Sequence, residues 1–318
     1  MHAAIVGHPG CGSKDNALTI PANHSAWHPL AMDAELQLAY LRRLGLQPEP
    51  PSVAALQRLH RAQVERVPYE TIWIHAGEAW DIDVGRAVRR IALEGRGGYC
   101  FHLNGAFGAL LDSLGYDVER HVGGVHGPDG PTERELTNHL VLTVRGLPAD
   151  DHPEGTWYVD AGLGDALHEA LPLRAGTHEQ APFRLILDAT PGEVGDWHLA
   201  HDPLGGFAGM SWRSATTTLD AFDERHRWLS TSPDSGFVRV ATAQRRDDEG
   251  VDILRGLVLT RVTGGAQAAT DLTERADWFD ALADVFGLRF QHTDPEALDL
   301  LWERTLTGHR AWVEAGRP

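Results

Sequence analysis

Three residues far apart in the chain have the chemistry of a thiol nucleophile and its proton relay: Cys100, His139 and Asp160. A thiol that attacks an acyl carbon needs a base to ionise it, and the base needs a third group to hold its ring. Cys100 follows Gly95-Arg-Gly-Gly-Tyr and opens a helical pattern over residues 100–114. Leu103, Phe107, Leu110, Leu111 and Leu114 recur there at helical spacing, and Gly115 stops the run. The glycines let the backbone turn sharply and approach a ligand. In the first helical turn the positive end of the dipole favours a thiolate. The helical wheel puts Cys100 on the side of Leu103 and Phe107, facing the interior or a cleft. A buried structural cysteine is the competing reading, since Cys is among the most buried residue types. Placement alone does not separate the two.

His139 begins the strand pattern His-Leu-Val-Leu-Thr-Val, and Asp160 ends Trp-Tyr-Val-Asp. A Gly- and Pro-containing loop, residues 145–155, lies between them. If the two strands pair as a hairpin, the start of the first lies beside the end of the second, and His139 comes opposite Asp160. The carboxylate would then fix the tautomer, favour the imidazolium and leave the other ring nitrogen for sulfur. Taken singly, each residue has an ordinary explanation. The chain holds 18 histidines, and Asp160-Ala-Gly reads equally as a turn.

The elements that must position these groups follow the order of an α+β layout rather than a regular βαβ alternation. Asp33 and Ser52 cap two helical patterns, ended at Gly45 and Pro68, and a third covers residues 84–93. Strand patterns follow over 117–122, 139–144, 156–160, 183–187, 236–242 and 253–262, then helices over 278–286 and 295–304. Residues 1–30, rich in Gly, Pro, His and Asn, read as a flexible N-terminal extension.

Composition narrows the function. A formal net charge of −17 argues against a nucleic-acid partner, which would need clustered basic residues. Lys14 is the single lysine, so an anionic cosubstrate must be met by Arg, His or backbone N–H groups. Two cysteines, Cys11 and Cys100, make no disulfide framework and fit a reduced, cytoplasmic setting. No apolar run approaches membrane-spanning length. The pairs His198/His201 and His24/His28 lack further ligands at convincing spacing, so no metal is expected.

Together these segments resemble the arylamine N-acetyltransferase family. RGGYCFHLNGAF, NHLVLTV and YVDAGLG match its nucleophile, base and orienter segments. YLRRLG at 40–45, VPYETI at 67–72, FRLIL at 183–187 and LSTSPDSGFV at 229–238 follow in the family's order. The resemblance runs from about Asp33 to about Val262. It implies a helical bundle carrying the nucleophile (residues 31–116), a β-barrel-like domain carrying His and Asp (117–212), and an α/β lid (213–318), in the manner of a cysteine-protease-like triad. It implies ping-pong acetyl transfer from acetyl-CoA, or another acyl-CoA, to an arylamine, with no permanently bound cofactor. It also implies a buried charge cluster of Arg43, Glu70 and Arg96 beneath the site. The pocket candidates are Tyr99, Phe101, His102, Gly124 and Phe237.

Departures bear on the substrate. His102 stands where the family usually has Glu, Thr71 replaces an Asn, and the loop between the two strands is enlarged. Relatives that act as amide synthases take bulkier acyl groups, in some cases from a carrier protein, which this acidic chain does not favour as donor. A cysteine hydrolase would use the same three residues, with water in place of the amine. A non-catalytic binding module would have no reason to keep all three.

Overall fold

The structure, a computed structural model, describes residues 32–291 and 293–316; the extension expected over 1–30, with Cys11, lies outside them. Helix α1 (Ala34–Leu44) begins where Asp33 Oδ1 accepts the Leu36 N–H at 2.8 Å and ends at Gly45, whose φ of 67° lets its N–H turn back to the Arg42 carbonyl. Helix α2 (Val53–Arg66) is capped by Ser52 Oγ on the Ala55 N–H. A two-residue strand β1 (Tyr69–Glu70) and a single turn α3 (Ile72–His75) lead to α4 (Val84–Glu94) and α5 (Cys100–Ser113). Helix α5 is buried along nearly its whole length and is apolar on almost every side, as a helix inside a core must be.

Eight antiparallel strands form the larger sheet. They are β2 (Asp117–His126), β3 (His139–Arg145), β4 (Trp157–Val159), β5 (Leu171–Pro172), β6 (Gly176–Gln180), β7 (Phe183–Glu193), β8 (Gly195–Ala200) and β9 (Gly209–Thr216). Their order is β5-β4-β3-β2-β9-β8-β7-β6. The two edge strands are consecutive in the chain and joined by residues 173–175. So short a link holds the edges near each other, and the sheet curls into a nearly closed, barrel-like form. Strand β3 is buried on both faces. Leu142 and Val144 pack with α1, α2, α4 and α5, whereas Val141 joins Leu185, Leu199, Met210 and Trp212 on the other face.

Beyond the barrel come α6 (Asp223–Thr231) and α7 (Gly236–Arg239). Strands β10 (Thr242–Arg246), β11 (Gly250–Arg255), β12 (Val258–Thr263) and β13 (Ala266–Asp271) follow, then α8 (Arg275–Asp284) and α9 (Pro295–Glu314). The second sheet runs β1-β10-β11-β12-β13, so a strand from the helical end of the chain pairs with one from the C-terminal half. Two expectations change here. Residues 236–239 are a helical turn, nucleated by the Ser235 hydroxyl on the Phe237 N–H, and the strand begins only at Thr242. The run 253–262 is two strands of a hairpin, turned at Gly256 with φ 59°.

The two sheets are tied by Arg246. It is 1% exposed, and burial lowers its pKa to about 10, above neutrality. Its guanidinium donates to the carbonyls of Ala166 (3.3 Å), Gly250 (3.0 Å), Gln180 (2.8 Å) and Ala181 (2.6 Å), and to that of Asp247. The carbonyls of Ala166, Gln180 and Ala181 belong to the barrel, those of Asp247 and Gly250 to the β10–β11 hairpin. Replacing Arg246 by Leu orphans them, and we expect a loss of on the order of 3 kcal/mol. Arg246→Lys, with three donors on a single nitrogen, recovers only part. A urea midpoint for Arg246→Leu equal to that of the wild type rules this out.

Candidate active site

The turn before α5 is set by steric exclusion. A Cβ on Gly97 would lie 1.9 Å from the Pro68 carbonyl oxygen, and Gly98 has φ 142°. That close approach lets the Glu70 N–H donate to the Gly98 carbonyl at 2.8 Å. Between them Arg96 forms ion pairs with Glu70 (3.1 Å) and Glu78 (3.0 Å), and its guanidinium lies over the Trp80 ring. Arg43, expected in this cluster, is not part of it. It sits in the last turn of α1 and reaches the Gly95 carbonyl at the end of α4 (3.5 Å), while Glu78 takes the place assigned to it.

The turn puts Cys100 at the first position of α5, 4% exposed, with its thiol directed at the Asn138 carbonyl (3.5 Å). His139 is the next residue and opens β3. Its Nε2 is 2.7 Å from Asp160 Oδ2, which leaves Nδ1 for sulfur, and Cys100 is the ring's second partner. The strand register is not directly opposed, however. Leu142 faces Val159, so Asp160 falls opposite Val141 and meets His139 along the diagonal.

Asp160 is 1% exposed and saturated with donors. Oδ2 accepts from His139 and from the Tyr158 hydroxyl (2.9 Å); Oδ1 accepts from Asn104 Nδ2 (2.7 Å) and the Gly162 N–H (2.9 Å). Asn104 Oδ1 in turn accepts the Ala161 N–H at 2.9 Å. Neither Asn104 nor Tyr158 was singled out from the sequence. The signal was there for both: Asn104 is a polar residue one turn beyond Cys100 on the buried side of its helix, and Tyr158 shares a strand face with Asp160.

Burial opposes charge on both members of this pair. At His139 it is outweighed by Asp160 and then Cys100, and the pKa rises to about 10. At Asp160 the His139 charge and the hydrogen bonds from His139, Asn104 and Gly162 outweigh it and hold the pKa below the usual carboxylate value. The signs follow by linkage. The His139 contribution to stability is fully present below its ordinary pKa of 6.5 and is lost as the pH rises through about 10. The Asp160 contribution is present above 3.8 and is lost as the pH falls through its depressed pKa.

Cys100 and His139 line a cavity of about 340 Å³ with Val125, Asn138, Phe237 and Arg225. Of the five pocket candidates, only Phe237 lines it. Phe101 and His102 are rotated by about 100° and 200° from Cys100 around the helix and point away from the cavity. Phe101 packs on Phe222, while Tyr99 and His102 join Trp73, Trp80 and His226 in a buried ring cluster. Gly124 alternates with Val125 along β2 and lies against the backbone of 135–136 instead. Among the described residues no group of three His, Cys, Asp or Glu is placed to hold a metal ion, and no helix is long and apolar enough to cross a membrane.

A family profile described as N-acetyltransferase matches residues 52–294. The arylamine N-acetyltransferase of Mycolicibacterium smegmatis is 29% identical over 260 residues, covering 78% of this chain and 90% of that one. The chain belongs to the arylamine N-acetyltransferase family. It is therefore an acyltransferase. Solved arylamine N-acetyltransferases share its fold. The Nocardia farcinica structure has a TM-score of 0.76 at 25% identity, covering 89% of this chain and 97% of that one. The Mycobacterium marinum enzyme, solved in complex with CoA, has a TM-score of 0.74 at 26% identity, covering 85% and 98%.

The electrostatics of the pair can be read by NMR. The His139 ring should titrate near pH 10, and Asp160→Asn should move its midpoint downward by removing the larger favourable charge. A midpoint near 6.5 in the wild type contradicts the assignment.

Proposed function

We propose that this chain moves an acetyl or other acyl group from coenzyme A to an arylamine through an acyl-Cys100 intermediate. The observation that carries the reading is His139, held by Asp160 on one ring nitrogen and turned to Cys100 with the other, at the wall of a small-molecule cavity. CoA in the Mycobacterium marinum structure supports the donor.

In this reading Cys100, Asp160 and His139 act as a catalytic triad. The Cys100 sulfur attacks the thioester carbonyl, the C–S bond to CoA breaks, and the His139 imidazolium gives its proton to the departing sulfur. The neutral ring then accepts a proton from the arylamine nitrogen as it attacks the acyl-Cys100 carbonyl. Collapse expels the Cys100 sulfur and regenerates the starting pair. Asp160 stays ionised throughout and keeps the ring aligned, since four donors hold it in that form. The helical residues 31–116 supply the nucleophile, residues 117–212 the base and orienter, and 213–318 cover the site. A free catalytic thiol suits the reducing cytoplasm. The partners are a small-molecule amine and an acyl thioester.

Intact mass after mixing with acetyl-CoA should show one acetyl increment that is absent in Cys100→Ala. Asp160→Asn should fold yet turn over about 10³–10⁴-fold more slowly. An increment that survives in Cys100→Ala, or near-normal turnover in Asp160→Asn, defeats the mechanism. An adduct formed only with a longer acyl thioester identifies a bulkier donor. Rapid loss of the label without amine identifies hydrolysis.

A further inference from the structure

Arg225, in the first turn of α6, lines the same cavity as Cys100. Its guanidinium lies 4.5 Å over the Trp228 ring, which fixes the plane of the fork. Its Nε is buried without a hydrogen-bond partner, and among the described residues it makes no ion pair. The carboxylate nearest in charge, Glu135, is already engaged by the Thr132 N–H (3.0 Å) and hydroxyl (2.9 Å). Burial lowers the Arg225 pKa and Arg134 lowers it further, whereas Glu135 and Cys100 raise it. Arg225 is thus a guanidinium on the cavity wall of a chain of net charge −17, with the exposed Arg134 and the half-buried Glu135 near it. The other charged residues on the cavity wall are differently disposed. Asp165 is held by the Gly206 N–H (2.6 Å) and His201 (3.5 Å), and Arg255 is exposed and lies over Trp312.

A preoriented guanidinium with a buried, unmatched donor is a receptor for a planar anion. The CoA phosphates do not fit the position, because Arg225 lines the cavity that holds Cys100, and the pantetheine arm keeps the phosphates far from the thioester. We infer that Arg225 receives a carboxylate carried by the substrate at the reacting end of the cavity, either on the arylamine ring or at the far end of the acyl group. This rests on the acyl-transfer reading and narrows its substrate class. Charge pairing with Arg225 selects the carboxylated member over a neutral one of the same size.

The test compares matched pairs in the two half-reactions: 4-aminobenzoate against 4-aminobenzamide as acceptor, and succinyl-CoA against butyryl-CoA as donor. The wild type should prefer the carboxylated member of one pair, and that pair names the source. In Arg225→Met the kcat/KM ratio within the pair should fall by about 10–100-fold. Arg225→Lys, which keeps the charge, should retain part of the preference and guards against misfolding in the first variant. If neither pair shows a preference, or if both members fall equally so that the ratio is unchanged, the inference is overturned and Arg225 acts on the sulfur or the fold. Calorimetry on Cys100→Ala, with and without Arg225→Met, reads binding of 4-aminobenzoate and succinyl-CoA without chemistry. Arg225-dependent binding with no acyl adduct from any thioester sinks the transfer reading and leaves this one standing. Binding indifferent to Arg225 sinks this one alone.

Discussion

A carboxylate removed from water must be given donors or it takes up a proton, and Asp160 is where that requirement organises the molecule. Its four donors come from α5, from β3, from β4 and from the turn that follows. Helix and barrel are therefore joined through one carboxylate. Because Asn104 lies one turn beyond Cys100 on the same helix, the bond that satisfies Asp160 also holds the Cys100 helix against the end of β4 and, through Asp160, against His139. Loss of one donor disturbs alignment as well as solvation, for the remaining groups were placed around a filled shell.

A second charge cluster does the same work at the turn before Cys100. Glu70 is fully buried and Arg96 nearly so, and their separation of 3.1 Å leaves each as the other's main compensation. Glu70 also accepts the Trp73 N–H, and its backbone pairs with Gly98 on one side and with Ala243 of β10 on the other. The two-residue strand β1 thus connects the Cys100 turn directly to the second sheet. Arg246 ties that sheet back to the barrel through three carbonyls, those of Ala166, Gln180 and Ala181, so the walls of the cavity, drawn from both sheets and α6, share a continuous set of polar links.

Local chemistry was legible in the sequence wherever one residue decides it. Asp33 and Ser52 cap their helices by side-chain hydrogen bonds of the expected kind, and the glycine pair before Cys100 marks a backbone approach too close for any Cβ. What the sequence hid depends on facing and on distant partners. Gly256 breaks the 253–262 run into a hairpin, yet an isolated Gly in a β-rich run reads equally as part of a strand. Residues 236–239 carry the composition of a strand, but Ser235 caps a turn there. The pocket candidates next to Cys100 failed because sequence neighbours on a helix point apart, while Arg225 and Asn138 enter the cavity from elements remote in sequence. Arg43 shows the same limit: its residue type suited an ion-pair cluster, but its guanidinium reaches the Gly95 carbonyl at the end of α4.

His102 shows how a departure from the family pattern is absorbed. At the third position of α5 its Nδ1 accepts the Tyr99 N–H (3.4 Å), the service a Glu gives in a capping box, and its Nε2 meets the Asp81 carbonyl (3.1 Å). Burial, then Arg90 and His226, lower its pKa well below the ordinary value, so the ring is neutral. A carboxylate there would be buried among the rings of Trp73, Trp80, Tyr99 and His226 and would lose the bond to the Asp81 carbonyl, which an acceptor-only group cannot make. The neutral ring keeps the cap and omits the negative charge. His139 and Arg225 share the cavity wall with Cys100, and with His102 at the third helical position the first turn of α5 carries no acidic residue.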